Sequence, residues 1–342
     1  MGRYIAVDLH KNSFTSCSYK SDEDYKLRTY SVSSKGLAAF KESLSRGDEV
    51  AVESTGNTAF FVRDIVSKVK RVRIVNPHQF KVISNSVKKT DEEDALTIAR
   101  FLSKDMIPEV RMRTKEQSQI SSLIGTRDKL VKLRTALKNK IHNILNANGI
   151  VTKSEMFASE KGLEKVGRVA LEDAYRFEVE LLIGEIRHLN AAIEKISEEL
   201  KARGQKLAGH KNLTSIKGIS DIGAAIFLNT IGDINDFRSE KHLASYFGIV
   251  PRVHISNETS QYGRITKMGN KIARTALVQS TLIAIRYSPY LRRFYEKLKA
   301  KKGSGKAIIA TSRKMLGVIY NTLKNDWVFK DFTTFTLEKG CA

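Results

Sequence analysis

The stretch Tyr4-Ile-Ala-Val-Asp8 is a short apolar run that ends on a carboxylate. The same pattern recurs in Val50-Ala-Val-Glu53, and two more acids stand three residues apart in Lys89-Thr-Asp91-Glu-Glu-Asp94. The first two acids therefore end predicted strands, and the i, i+3 spacing places the other two on one face of a helix. Four carboxylates in a strongly basic chain indicate metal-dependent chemistry on nucleic acid.

The region around these acids, residues 1–110, alternates between strand and helix patterns. Three consecutive strands are followed by helix, strand, helix, strand and helix, which is the order of a ribonuclease-H-like (RuvC-like) domain. The alternating part predicts right-handed crossovers between parallel strands. Sites in such open sheets form beyond the carboxyl ends of the strands, where Asp8 and Glu53 stand.

Residues 111–205 form a helical second region. Apolar residues recur at steps of three and four from Leu130 to Ile144 and from Leu182 to Leu200. This spacing predicts two long amphipathic helices joined around Asn146-Ala-Asn-Gly149, as a coiled-coil hairpin or as part of an ordinary helical bundle.

Residues 206–342 form a third, mainly helical region. Its first segment, Leu213 to Leu228, resembles a helix-hairpin-helix whose glycines let backbone amides approach a phosphate; a plain turn between helices also fits. A loop rich in Gly, Pro, Ser and Thr follows from Gly248 to Gly269, and then helices run to about Leu323. Between Arg286 and Lys314 ten basic residues face one acid, with four aromatic residues among them. This combination is typical of a surface that follows phosphates and stacks on bases.

Composition bounds the partners of the chain. Its 342 residues carry 59 Lys and Arg against 37 Asp and Glu, a formal net charge of +22. Such an excess favours a polyanion, and nucleic acid is the first candidate. A membrane partner is not expected, because no segment reaches the ~18 apolar residues of a spanning helix. Two distant cysteines, Cys17 and Cys341, give neither a disulfide framework nor zinc spacing, so we expect a reducing cytoplasm.

The acid cluster has a catalytic and a structural interpretation. Mg²⁺ prefers carboxylates and water, so acids without a Cys/His ligand set suit it. Asp91 and Asp94 could instead stabilise the start of a helix, as an N-cap and a first-turn acid. His10 and His78 have loose spacing and are expected to be surface or hydrogen-bonded residues.

A second chemical candidate is Ser256, in the loop from Phe247 to Asn270. A loop serine can attack a phosphodiester if its proton is removed and the charge on the phosphorane is stabilised. By composition alone, ordinary loop serines heavily outnumber such nucleophiles.

Several of these motifs together resemble a known family. They are the strand ending in Asp8, the Glu53-Ser-Thr-Gly56 turn, Asn76-Pro77, Lys-Thr-Asp91-x-x-Asp94, the Ile216-Lys-Gly-Ile element, and the Gly248-Ile-Val-Pro loop through Ile265-Thr-Lys-Met-Gly-Asn270. In this order they resemble the DEDD transposases of bacterial insertion sequences, a group that includes the pilin-gene invertases. The resemblance covers almost the whole chain.

The resemblance implies a complete mechanism. Asp8, Glu53, Asp91 and Asp94 would bind Mg²⁺, and Ser256 would form a covalent phosphoserine link to DNA. The family usually follows this serine with glycine, whereas Asn257 stands here, so Ser256 and Ser260 both stay open.

The partners implied are DNA, at element ends and target, and a structured guide RNA. Assembly as a dimer or tetramer through the coiled coil is also implied, with the serine of one subunit completing the acidic site of another.

Two other functions stay open. One is a metal-dependent endonuclease of the Holliday-junction type, which activates water at the carboxylates and leaves Ser256 structural. The other is a basic scaffold that binds nucleic acid without chemistry, against which the intact set of four acids argues.

Overall fold

The computed structural model describes residues 2–77, 79–80, 90–256 and 259–329. His78, Lys89, Asn257 and Cys341, which the sequence analysis names, lie outside these ranges. The fold is mixed α/β, and the chain divides into two compact units, Met1–Thr114 and Lys115–Ala342. Three domains with boundaries at 110 and 205 remain a prediction.

In its described residues, the first unit contains a five-stranded sheet and three α-helices. Its strand order is β3-β2-β1-β4-β5, in which β1, β2 and β3 are antiparallel neighbours and β1, β4 and β5 are parallel. The elements are β1 (Tyr4–Leu9), β2 (Ser13–Tyr19), β3 (Tyr25–Ser31), α1 (Ser34–Ser43), β4 (Glu49–Glu53), α2 (Thr58–Ile65), β5 (Arg71–Val75) and α3 (Asp91–Ser103). The strands and helices expected from the sequence are confirmed here, with ends shifted by a few residues.

The two faces of the sheet pack against different helices. Ile5, Val7 and Leu9 of β1 belong to one buried cluster with residues of α1 and α2. Ala6 of β1 and Ala51 of β4 belong to another with residues of α3. Side chains alternate across a strand, so each cluster takes every second residue.

As far as the structure describes it, the second unit is helical apart from one two-stranded sheet. Its elements are α4 (Lys115–Ala147), α5 (Glu160–Gly167), α6 (Asp173–Gly204), α7 (His210–Thr214), α8 (Asp221–Ile231), α9 (Glu240–Tyr246), β6 (Pro251–Ser256), β7 (Thr259–Ile265), α10 (Lys271–Tyr287), α11 (Pro289–Lys302) and α12 (Ser304–Lys324). Its largest buried cluster joins Ile120 of α4 with residues of α8, α10 and α12.

The two long helices predicted from apolar spacing are α4 and α6, but their connection differs from the prediction. The chain leaves α4 through Gly149, whose φ is 74°. It then forms a 3₁₀ turn at Ser154–Phe157 and the helix α5 before α6 begins. Phe157 and Leu163 of this connection are buried with Ile141 of α4 and Ile183 of α6. The apolar residues of this connection are too few to show a helical period in the sequence, yet they fill the space between the ends of α4 and α6.

The segment from Gly248 to Gly269, expected to be a loop, contains the antiparallel hairpin β6–β7. The β-branched residues Val253, Ile255, Thr259 and Ile265 favour strands, whereas Pro251 and Gly263 hide the pattern in the sequence. We call residues 251–265 the serine hairpin, because Ser256 stands at the end of its first strand, paired with Thr259.

Gly218, in the segment that resembles a helix-hairpin-helix, serves close packing. Its φ is +105°, and a Cβ there would lie 2.5 Å from the Ser280 carbonyl oxygen of α10. The glycine therefore lets this turn approach the backbone of α10.

Candidate active site

Asp8 and Glu53 stand at matching positions on neighbouring strands. β1 and β4 are parallel, and Val7 pairs with Val52, so each acid directly follows the last pair. Ala6 and Ala51, two residues earlier, face α3. Because side chains alternate along a strand, Asp8 and Glu53 belong to the face that α3 covers.

The helix α3 begins with the other two predicted acids. Thr90 caps it, since its hydroxyl accepts a hydrogen bond from the Glu93 amide at 3.2 Å. Asp91 and Asp94 both lie in the first turn, three residues apart on one face of the helix. The sequence allowed Asp91 as the N-cap of this helix, but Thr90 fills that role.

His10 joins the acids of the strand and the helix. Its Nε2 lies 3.3 Å from Asp8 Oδ2 and 3.2 Å from Asp91 Oδ1. One ligand atom from each of these three residues lies within 4.8 Å of the others. Asp8 is buried, whereas His10 and Asp91 are exposed, so the group opens towards solvent on one side.

Burial and nearby charges shift the pKa values of Asp8 and His10. Burial raises the pKa of Asp8, and the negative charges of Asp91 and Asp94 raise it further, while His10 opposes them. Burial alone would lower the pKa of His10, but the carboxylates of Asp8 and Asp91 raise it above its ordinary value. The surroundings of Asp8 therefore favour an added positive charge.

The donors of this group fit a divalent cation. Two carboxylate oxygens and one imidazole nitrogen converge, and Asp94 is close enough to perturb Asp8 electrostatically. An oxygen-rich set of this kind suits a hard cation. Glu53 is placed by strand register on the same face but does not belong to the three-residue group.

Sequence reasoning placed His10 among surface or hydrogen-bonded residues, and its side chain is exposed and bonds to Asp8 and Asp91. Its place in the acid group was missed, although a signal for it existed. A strand period of two carried one residue beyond Leu9 places His10 on the face of Asp8. The missing information was the position of Asp91, which only the packing of α3 on the sheet supplies.

The serine hairpin lies in the second unit and is fixed at its base. Phe247 and Ile249, which lead into it, are almost fully buried in the main cluster of that unit. Ser256 pairs with Thr259, and Ser260 pairs with Ile255 on the opposite strand. Both candidate serines thus stand at the far end of the same hairpin.

The basic segment predicted near the C-terminus coincides with α11 and the adjoining part of α12. Arg292, Arg293, Lys297, Lys301 and Lys302 are all exposed. Three of the four aromatic residues already have a cation partner within the protein: Lys314 Nζ lies 4.6 Å from the ring centroids of both Tyr290 and Phe294, and Lys299 Nζ lies 5.7 Å from that of Tyr295. Tyr287 keeps 61% of its surface exposed and is the ring best placed for stacking. We call this exposed set the α11 basic surface.

No helix in the described ranges is both long enough and apolar enough to cross a membrane.

Comparison with known families finds one matching domain in the N-terminal part of the chain and another in the C-terminal part. Residues 5–148 match the DEDD domain of IS110 transposases, and residues 210–296 match the domain described as "Transposase IS116/IS110/IS902 family". The first match contains all four acids and His10, and the second contains the serine hairpin.

Individual proteins agree with these domain matches over nearly the full length. The transposase for insertion sequence element IS1111A of Coxiella burnetii is 27% identical over 340 residues, which cover 96% of this chain and 91% of that protein. The pilin gene-inverting protein of Moraxella bovis is 25% identical over 343 residues, covering 95% and 97%. A probable family 20 transposase of Pseudomonas aeruginosa is 28% identical over 243 residues, 69% of this chain and 71% of that protein.

Proposed function

We propose that this chain, which belongs to the IS110/IS116 family of insertion-sequence transposases, cleaves and rejoins DNA through a covalent phosphoserine intermediate. Cleavage and strand transfer of DNA are the activity of the family, so the chain is an enzyme of that class. The proposal adds which residues act and how.

The observation that carries the proposal is the meeting of Asp8, His10 and Asp91 at the end of a central strand. A buried carboxylate surrounded by two further acids is unfavourable unless a positive charge compensates it. The strand order β3-β2-β1-β4-β5 supports a ribonuclease-H-like domain, in which such a group has a catalytic use.

We assign Mg²⁺ to Asp8, Glu53, Asp91 and Asp94. A bound divalent cation would neutralise charge that develops on the scissile phosphate. The protein contributes the placement of the carboxylates: Asp8 pairs with Thr15 of β2, Glu53 pairs with Val75 of β5, and the capped first turn of α3 holds Asp91 and Asp94. His10 bonds to Asp8 and Asp91, which holds their carboxylates in place.

Ser256 is our candidate nucleophile. Its hydroxyl oxygen would form a bond to phosphorus while the bond from phosphorus to a deoxyribose oxygen breaks. The serine proton leaves, and the released deoxyribose oxygen takes up a proton. Attack by a deoxyribose hydroxyl on the phosphoserine reverses these changes and restores Ser256, so the bond energy of the DNA is conserved. Ser260, on the same hairpin, is the alternative nucleophile.

The proposed partners follow from charge and family. The α11 basic surface is suited to the phosphates of DNA or of a structured guide RNA, and a place at the nucleoid in the bacterial cytoplasm fits these partners. Assembly as a dimer or tetramer, through a coiled coil of α4 and α6, is part of the proposal. Sedimentation of the purified chain with and without nucleic acid tests it.

The test of the nucleophile is a protein–DNA adduct that survives denaturant. The purified chain is incubated with Mg²⁺, a duplex carrying the ends of its insertion element, and RNA transcribed from the element's flank. We expect an adduct that Ser256→Ala and Asp8→Asn each abolish and that Ser260→Ala retains. Cleavage without an adduct would instead indicate the metal-dependent endonuclease, with water as the nucleophile.

A further inference from the structure

The serine hairpin leaves the core through a tightly packed base. At its two ends the Thr266 amide donates to the Val250 carbonyl at 2.9 Å, and the Lys267 amide donates to the Gly248 carbonyl at 3.0 Å. These bonds continue the pairing of β6 and β7 to the point where both strands meet the helices.

Backbone packs directly against backbone at this base. Gly248 has a φ of +66°, and a Cβ on it would lie 1.9 Å from the Met268 carbonyl oxygen. Gly269 has a φ of +90°, and a Cβ on it would lie 2.1 Å from the Tyr246 carbonyl oxygen. Lys267 also takes a positive φ, 56°. This close packing holds the base of the hairpin in place, and it brings several backbone carbonyl groups close together.

Arg274, one turn into α10, binds these carbonyls. Its Nη1 donates to the carbonyl oxygens of Phe247 and Met268 at 3.2 Å each and of Gly269 at 3.0 Å. Because Nη1 carries two hydrogens, three acceptors share them. Phe247 follows the C-terminus of α9, where a cation is favoured by the helix dipole. The same nitrogen therefore ties together the chain entering the hairpin and the chain leaving it.

We propose that Arg274 is a positioning residue, which holds the serine hairpin in the direction that its nucleophile needs. The inference rests on the proposed function, because it takes a serine of this hairpin as the attacking group. The helix that carries Arg274 is well anchored, because Leu277 and Ala284, further along it, are fully buried in the main cluster. A hairpin of two strands has little stability of its own, so its direction depends on such contacts at its base.

The expected effect is on chemistry rather than on binding. Attack on phosphorus requires the reacting atoms in line, and a displacement of about 1 Å can slow such a step ~100-fold. Loss of three carbonyl contacts at the base would be amplified along the length of the hairpin. Loss of Arg274 would then lower the rate of adduct formation at saturating DNA. It would leave unchanged the DNA concentration that gives half of the maximal rate.

The test compares Arg274→Ala and Arg274→Lys with Arg176→Ala. Arg176 is a matched control, since its Nη2 donates to a single backbone carbonyl, that of Leu171, far from the hairpin in sequence. Adduct formation with the element-end duplex, Mg²⁺ and flank RNA is measured against DNA concentration, together with the melting temperature of each variant. Hydrogen exchange of the amides in β6 and β7 is measured on the full chain without nucleic acid.

We expect Arg274→Ala to slow adduct formation at saturating DNA by roughly 10- to 100-fold, with unchanged half-saturation. Its β6 and β7 amides should exchange faster, since fewer contacts close the base. Arg274→Lys, which keeps the charge and can reach some of the carbonyls, should recover part of both losses. Arg176→Ala should match the original chain.

Three results would overturn the inference. A rate of adduct formation by Arg274→Ala within twofold of that of the original chain would show that the hairpin does not need the contacts of Arg274. A weaker half-saturation with an unchanged maximal rate would make Arg274 a phosphate contact. Unchanged hydrogen exchange in β6 and β7 would show that the hairpin is held elsewhere. An adduct that survives both Ser256→Ala and Ser260→Ala overturns the proposed function instead, and hydrogen exchange then decides on Arg274 by itself.

Discussion

Asp8 is the residue whose environment most clearly favours an added positive charge. It is 5% exposed, and burial together with Asp91 and Asp94 raises its pKa. We expect Asp8→Asn to leave the melting temperature in metal-free buffer unchanged or higher, because the substitution removes an unfavourable buried charge. The same variant should lose the rise in melting temperature that Mg²⁺ gives the original chain, because a cation that binds only the folded state stabilises it.

The control for this experiment is Glu92→Gln. Glu92 lies in the same first turn of α3 but is exposed and outside the three-residue group. It should keep the Mg²⁺ response and lose at most ~1 kcal/mol of helix-dipole stabilisation. An Asp8→Asn chain with the full Mg²⁺ response would exclude Asp8 as a ligand.

Asp48 is the residue from which we expect a clear contribution to acid stability in the first unit. Its carboxylate is fully buried and accepts hydrogen bonds from the Arg3 side chain at 2.7 Å and from the Ser45 amide at 2.8 Å. Burial alone would raise its pKa, but these bonds lower it below the ordinary value. Asp48 therefore stabilises the fold above its unfolded-state pKa, and this contribution is lost as the pH falls through the lower folded-state pKa.

We expect Asp48→Asn to lower the free energy of unfolding at pH 7 by about 1.5–3 kcal/mol, because the bonds to a charged acceptor are weakened. The loss should shrink as the pH falls, since the original chain then protonates Asp48 as well. Urea titrations at several pH values measure it. The control is Asp64→Asn, whose ion pair with Lys41 is about one-third exposed at both ends and should contribute less than ~1 kcal/mol. Equal losses in the two variants would contradict the role of Asp48.

At the scale of single residues, sequence reasoning assigned Asp8 and Asp91 to a metal site but gave His10 only a surface or hydrogen-bonding role. The acids were visible because a carboxylate directly after an apolar strand is unusual. His10 acquires its meaning only from Asp91, 81 positions along the chain, once α3 packs on the sheet. A local pattern cannot contain such a pairing.

Among the elements, the serine hairpin depends most on special backbone geometry. We expect Gly269→Ala to destabilise the second unit by more than ~1 kcal/mol, because alanine disfavours the φ of +90° and its Cβ would lie 2.1 Å from the Tyr246 carbonyl oxygen. The midpoint of urea unfolding and the exchange of hairpin amides measure the effect.

Gly263→Ala, within β7, is the matched control. The nearest atom to its added Cβ would be the Arg252 Cβ at 3.6 Å, an ordinary contact, and Gly263 has no positive φ. This variant should be as stable as the original chain or slightly more so, because alanine restricts the unfolded chain. Equal destabilisation by both variants would refute the backbone argument.

Element order in the first unit was predictable because each strand and helix carries its own periodicity. The strands Tyr4–Leu9 and Glu49–Glu53 are apolar and short, and α3 has a threonine cap followed by acids. The hairpin β6–β7 was missed because Pro251 and Gly263 interrupt its alternation of side chains, and because the pairing of the two strands outweighs their local preferences. The connection between α4 and α6 was missed because its buried residues are too few to form a period.

For the molecule as a whole, charge predicts how the affinity for nucleic acid responds to salt. Replacing Lys297, Lys301 and Lys302 of the α11 basic surface by Gln should weaken DNA binding and flatten its salt dependence. Each lost phosphate contact lowers the slope of log K against log salt by about 1. Fluorescence anisotropy with element-end DNA, at several salt concentrations, measures the slope.

The control removes the same charge elsewhere. Lys161, Lys165 and Lys195 are exposed on α5 and α6 among glutamates, and their replacement by Gln should leave the slope almost unchanged. Equal slopes for the two triple variants would show that net charge, rather than the α11 basic surface, governs binding.

The composition of the sequence predicted the basic charge of this surface, but it predicted less of what the aromatic rings do. The excess of basic residues from 286 to 314 was evident in the sequence, and the residues of α11 that carry it are exposed. Not all four rings can stack on bases as they stand, because Tyr290 and Phe294 lie against Lys314. Those contacts join α11 to α12, and one-dimensional spacing does not reveal them.

The most direct test of the central claim is the isolation of the covalent adduct and the mapping of its bond. The chain is incubated with Mg²⁺, element-end duplex and flank RNA, denatured, digested with protease, and the peptide that retains nucleotide is sequenced by mass spectrometry. We predict phosphate ester-linked to Ser256, with no adduct from Ser256→Ala or Asp8→Asn. Cleaved DNA without any linked peptide, from a chain whose Ser256→Ala variant cuts equally well, would contradict the serine mechanism.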